Sequence, residues 1–126
     1  MPYQCTSYTT WNDDTRLTSY ICSGCNCDNG IATTWYRIQG TSATRLTSTP
    51  ASYGSCGAYY PIWFNATLPT NLYQTIVGTA CMYYGSDPCY PSYSLPVPVT
   101  NCGSFYVYYL RPVSSASCYY RYCTSA

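Results

Sequence analysis

Four aspartates, Asp13, Asp14, Asp28 and Asp87, are the only carboxylate side chains in the chain, which has no histidine, lysine or glutamate. Proton transfer near neutral pH usually falls to His, Glu, Asp or Lys, and nucleophiles need a neighbouring base or cation. Only aspartate is left for that work. Asp13 and Asp14 are adjacent, so on most backbones they point apart and cannot flank one bond. Glycoside hydrolysis by Asp14 with Asp28 or Asp87 would need two carboxylates facing across a cleft. Helix-cap and turn roles account for the same residues more simply, so the chain reads as non-catalytic.

Cysteine is the next reactive group. Cys22-x-x-Cys25-x-Cys27 has a metal-knuckle spacing, but zinc takes four tetrahedral ligands, often including His, and no second C-x-x-C stands at finger distance. No metal and no other cofactor is expected. Ten cysteines in 126 residues fit a disulfide scaffold made in an oxidising compartment. The set is Cys5, Cys22, Cys25, Cys27, Cys56, Cys81, Cys89, Cys102, Cys118 and Cys123. Ten cysteines allow about 945 pairings, and the spacing does not choose among them.

The third chemical signal is Asn65-Ala66-Thr67, the only N-x-S/T triplet in the chain and an acceptor for an N-glycan in a secreted protein. It follows the apolar run Pro61-Ile62-Trp63-Phe64. If Trp63 packs inward, Asn65 in the same strand would point inward too. The chain is therefore expected to turn near Phe64–Asn65, setting the sugar at a strand end with Phe64 beneath it. The run TSATRLTSTPAS (Thr41–Ser52) is read as either a site of O-glycans or an ordinary polar loop.

The elements that must hold these groups read as β. β-Branched and aromatic residues are abundant and strong helix formers scarce. Candidate strands are Thr34–Ile38, Pro61–Phe64, Tyr73–Val77, Ala80–Tyr84, Phe105–Leu110 and Cys118–Cys123. Turn chemistry separates them at Asp28–Gly30, Ser52–Gly57, Tyr84–Pro88 and Asn101–Gly103. Asn12–Asp14 could cap one short helix over Thr15–Tyr20. Tyr90–Val99 carries Pro91, Pro96 and Pro98, so it is expected to be an extended edge or a loop. The fold expected is mainly β: one small, disulfide-stapled, sandwich-like domain over residues 1–126, with long irregular loops and at most one short helix.

Five arginines are scattered along the chain and the net charge is +1, which gives no cluster for phosphate and argues against nucleic acid. No apolar run approaches the roughly 18–20 residues of a membrane helix, so no membrane insertion is expected. No basic-then-apolar leader opens the chain, so Met1 is read as not the natural start, or the precursor as trimmed.

Tyrosine is the most prominent residue type, with 18 copies. In FYVYYL, Phe105, Val107 and Tyr109 share one face and Tyr106, Tyr108 and Leu110 the other. Both faces are apolar in body, so this strand is expected to be covered on both sides. So many tyrosines cannot all be deeply buried in a domain this size. Exposed rings suit sugar stacking or subunit contact. Trp35, Trp63, Phe64, Tyr106 and Tyr108 are the candidate contact aromatics.

The stretches CTSYTTWNDDTRLTSY, CDNGIATTWYRIQG, CGAYYPIWFNATLP, GTACMYY, NCGSFYVYYL and CYYRYCT, in this order, resemble the uromodulin-type eight-cysteine extracellular domain. That family is represented by uromodulin and the zymogen-granule glycoprotein. The resemblance spans nearly the whole chain and implies secretion, disulfide bonding and a non-catalytic role in mosaic, often filament-forming glycoproteins. It also implies a glycan on Asn65, through Thr67, that can be presented to microbial or other lectins. The chain departs from the family pattern in three places. Gln39–Ser55 lacks the usual cysteine, Cys22 and Cys25 look additional, and Tyr90 follows Cys89 where the family often shows adjacent cysteines. At least one bridge must therefore be rewired.

The leading expectation is a secreted, glycosylated structural or adhesive module, the repeating subunit of an extracellular filament. Its partners would be further copies of itself and glycans or glycan-binding proteins. A lectin-like module using exposed tyrosines is the alternative, and would need a concave aromatic groove with converging polar groups.

Overall fold

The computed structural model describes residues 1–113 and 118–126. Its strands are β1 (Thr9–Trp11), β2 (Thr34–Ile38), β3 (Arg45–Leu46), β4 (Tyr60–Asn65), β5 (Thr75–Cys81), β6 (Leu95–Asn101), β7 (Tyr106–Leu110), β8 (Tyr120–Tyr122) and β9 (Thr124–Ser125). Seven form one mixed sheet in the order β1-β2-β7-β6-β5-β4-β8, and β3 pairs with β9 in a separate ribbon. The outermost pairings, β1–β2 and β4–β8, are parallel and the rest antiparallel. The fold is thus mainly β, and among the described residues there is no α-helix.

The expected helix over Thr15–Tyr20 is instead one 3-10 turn at Asp14–Arg16. Asp13 caps it, its carboxylate accepting from the Thr15 amide at 3.0 Å. Competing pairing ends the turn. Leu17 is extended and bridges Thr124, and the Thr18 amide donates to the Thr124 carbonyl.

The two strands expected at Tyr73–Val77 and Ala80–Tyr84 are one, β5, running straight through Gly78. Gly78 is required there by close approach: a Cβ would lie 2.4 Å from the Phe64 ring and 2.5 Å from the Ala66 methyl. Glycine inside a strand, often a break signal, here makes room for a ring.

The proline-rich segment is central rather than an edge or loop. β6 lies between β5 and β7. Pro96 and Pro98 stand at alternate positions, so both nitrogens face the same neighbour. β7 pairs with β6 only from Val99 onward, so no ladder bond is lost at either proline.

The sheet curls until its two edges meet. The rings of Trp11 on β1 and Tyr122 on β8 are 6.2 Å apart. The Arg16 guanidinium stacks 3.8 Å over Trp11 and donates to the Tyr122 carbonyl. The concave face is filled by Tyr36, Ile62, Phe64, Val97, Val99, Tyr108 and Leu110. The β3–β9 ribbon closes over it: the Leu46 amide donates to the Tyr108 hydroxyl, and the Phe64 amide to the Thr47 carbonyl. The N-terminal segment covers part of the outer face, where Gln4 bonds Thr100 and Arg37 stacks 3.9 Å over Phe105. Val107 between them is fully buried, so the outer face of β7 is covered there. Tyr109 farther along the same face is exposed, so the expected cover on both sides holds for only part of the strand.

All ten cysteines pair, as Cys5–Cys102, Cys22–Cys25, Cys27–Cys118, Cys56–Cys123 and Cys81–Cys89. Cys22 and Cys25, the two that look additional, bond each other.

Candidate functional site

A buried charge network accounts for two of the four aspartates. Asp28 takes two 2.8 Å bonds from Arg16, and its Oδ2 also accepts from the Tyr122 amide. Asp13 pairs with Arg121 at 2.7 Å. Burial pushes the Asp13 carboxyl up, but bonds from Thr15 and the Arg121 and Arg16 charges outweigh it and hold it below its ordinary value. Arg121 also donates to the Cys56 carbonyl and lies against Gly57, whose φ is +69° and where a Cβ would be 2.2 Å from Nη1. Asp87 accepts from the Cys89 amide in a turn. Asp28, almost fully buried and bound on both oxygens, cannot be one wall of a hydrolytic cleft. The Cys22–Cys25–Cys27 cluster is likewise committed, to two disulfides.

Asn65 closes β4 and is exposed, as is Thr67. The premise that Trp63 packs inward is overturned. Ile62 and Phe64 occupy the core face, while Trp63 and Asn65 alternate onto the outer one. The strand therefore needs no turn to expose Asn65. Phe64 is not beneath a sugar: it is 3% exposed and stands edge-on to Tyr108, ring centroids 5.6 Å apart. On the outer face Asn65 is opposite Thr79, which is opposite Pro96. Val77, two residues from Thr79, is widely exposed. The apolar run before the acceptor is thus split between two faces.

The candidate contact aromatics do not form one surface. Tyr108 is completely buried and belongs with Phe64 to the core. Its burial pushes its phenol up to about 12. Tyr106 packs partly against that core. Trp35 and Trp63 lie on the outer face, on β2 and β4, with β7, β6 and β5 between them in the sheet order. Trp35 packs on Tyr109, and Trp63 donates from Nε1 to the Pro88 carbonyl at 2.9 Å.

The exposed aromatic surface is elsewhere. A cleft of about 830 Å³ opens at the Tyr60 end of β4, between the β5–β6 connection and the segments Arg111–Val113 and Tyr119–Tyr120. Its floor holds Met82 and Leu95, and its walls include Tyr60, Tyr83, Tyr84, Tyr93, Tyr119 and Tyr120. The rings form two sets. Tyr60 contacts Tyr53, Tyr119 and Tyr120 at centroid distances of 5.0, 5.3 and 5.4 Å. Tyr84, Tyr90 and Tyr93 form a second set at 4.7, 5.3 and 5.0 Å. Edge-to-face and offset contacts of this kind fix ring orientation. The hydroxyls of Tyr83 and Tyr120 are spent on the Ala51 and Tyr83 carbonyls. Burial raises both phenols, which keeps them protonated as donors. The hydroxyls of Tyr60, Tyr84 and Tyr93 have no hydrogen-bond partner among the described residues, and Tyr84 and Tyr93 are 54% and 43% exposed.

Sequence reasoning missed this cleft. The signal was present in the pairs Tyr59-Tyr60, Tyr83-Tyr84 and Tyr119-Tyr120, but nothing local says that three distant pairs converge.

With the geometry described, comparison with known proteins adds the lineage. The chain is 29% identical over 124 residues to the pancreatic secretory granule membrane major glycoprotein GP2 of Rattus norvegicus. That match takes in 95% of this chain but only 22% of the relative, so the chain spans about a fifth of that protein's length. Residues 36–124, from β2 to the first residue of β9, match the profile of the uromodulin-like eight-cysteine domain. With its disulfide-rich β fold, of the kind made in the secretory pathway, the chain belongs to the uromodulin-like eight-cysteine domain family.

Proposed function

We propose that the chain is a secreted, N-glycosylated structural and adhesive module that carries a glycan on Asn65 and self-associates as the repeating subunit of an extracellular filament. The observation that carries this reading is the exposure of Asn65 on the outer face and of Thr67 just beyond the strand, with Phe64 anchoring the strand from the other side. A glycan there extends beside Thr79, Pro96 and exposed Val77, shielding an apolar strip. The relative's description as a secretory granule membrane glycoprotein supports the same setting. Low net charge weakens repulsion between copies. The test is expression in secretory cells, with intact mass before and after N-glycan release and electron microscopy of the product. A glycan confined to Asn65 together with filaments fits the reading; unmodified, monodisperse domains contradict it.

One observation favours a second reading, that of a carbohydrate-binding module. The tyrosine cleft has the concave shape, apolar floor and unpartnered hydroxyls that sugar recognition needs. β4 separates the two features. Tyr60 is in the cleft and Asn65 is at the far end of the strand, about 17 Å away at strand rise, so a glycan on Asn65 leaves the cleft open. Binding of glycan-stripped protein to an oligosaccharide array tests this reading, and silence across the array contradicts it.

A further inference from the structure

The cleft has a charge signature as well as a shape. Arg111 lines it, exposed, and none of the described residues lining it is a carboxylate. Ion pairs among the described residues use only Arg16 and Arg121, so the Arg111 guanidinium has no carboxylate partner there. Its backbone is fixed, because the buried Tyr122 hydroxyl donates to the Arg111 carbonyl at 3.0 Å. The aspartates are committed to the Arg16–Arg121 network or to turns, apart from Asp14, which lies beside Gly40. A guanidinium next to flat rings binds a planar or tetrahedral anion through paired N–H donors, while the rings take an apolar sugar face.

We propose that the cleft binds an acidic saccharide, a sugar ring lying against Tyr84 and Tyr93 with its carboxylate or sulfate paired to Arg111. The proposal rests on the carbohydrate-binding reading above and names the class of sugar. A single arginine suits one anionic group on a short saccharide. It does not suit a polyanion, whose binding needs a row of cations.

The test titrates glycan-stripped protein with lactose, sialyllactose and sulfated lactose, followed by ligand-observed NMR. The set is repeated with Arg111→Gln and Tyr93→Ala, and circular dichroism checks the fold of each variant. The expected result is tighter binding of at least one acidic sugar than of lactose. Arg111→Gln should remove that preference, weakening the acidic sugar about tenfold and lactose much less. Tyr93→Ala should weaken every sugar that binds. Whichever acidic sugar binds identifies the anion. Equal binding of all three, unaffected by Arg111→Gln, overturns the acidic preference and leaves the sugar-binding reading standing. No binding of any of the three overturns the acidic-saccharide proposal, while the sugar-binding reading falls only with silence across the oligosaccharide array.

Discussion

Trp63 and Asn65 project from the same outer face of β4, two residues apart, because the residue between them is turned into the core. The glycan acceptor and its neighbouring indole are therefore surface partners, and Phe64 is the structural anchor. Phe64→Ala should cost about 3–5 kcal/mol by leaving a cavity against Tyr108. Trp63→Ala should cost much less, since the indole is only partly covered. Urea denaturation of the two variants measures the difference.

Removing one partner from a buried, hydrogen-bonded ion pair strands the other. Asp28 and Arg16 are such a pair, with side chains 2% and 7% exposed. Asp28→Ala should therefore destabilise the fold by about 3–5 kcal/mol. Asp13→Asn should cost less, because the Asp13 carboxylate is 38% exposed. Thermal melts of both variants give the order.

Stability should fall at both ends of the pH range. The folded Asp13 carboxyl is held below its ordinary 3.8, so its contribution is present above that value and is lost as pH falls through the lower, folded one. Asp13→Asn should flatten this acid limb. Tyr108 behaves oppositely. Burial raises its phenol from 10.0 to about 12, so its contribution is intact below pH 10 and is lost as pH rises toward 12. Phenolate absorbance and far-UV circular dichroism, followed together, should show its ionisation coinciding with unfolding.

The disulfides should contribute unequally. Cys22–Cys25 closes a separation of 3 residues and Cys5–Cys102 one of 97. Loop-closure entropy assigns them about 1.6 and about 4.7 kcal/mol. The Cys22→Ser/Cys25→Ser double variant should fold and melt slightly lower. The Cys5→Ser/Cys102→Ser variant should melt far lower or fail to accumulate.

Local patterning made β2 legible to the residue, and put β4, β7 and β8 within a residue or two at most shared ends. The strands that sequence reasoning missed depend on tertiary context. β3 and β9 are two residues each and are held by pairing with one another and by the Leu17 bridge to Thr124. β6 carries two prolines that argue against a central strand, and they are tolerated because its pairing with β7 begins only at Val99. The split between Tyr73–Val77 and Ala80–Tyr84 fell at Gly78, whose missing side chain makes room for the Phe64 ring inside one strand. At the site, the triplet at Asn65 was visible as a motif, but its face was misread because indole and phenyl are equally plausible core residues. The cleft was invisible because the curl of the sheet assembles it from segments far apart in the chain, Tyr60 from the middle and Tyr119–Tyr120 from near the end.

Glycosylation of Asn65 tests the central claim most directly. Protein secreted from eukaryotic cells would be treated with a glycoamidase in heavy-oxygen water, digested and mapped by mass spectrometry. The account predicts the heavy-oxygen label at position 65, with Asn65→Gln removing it while the circular dichroism spectrum stays unchanged. Secreted, folded protein with an unmodified Asn65 would contradict it.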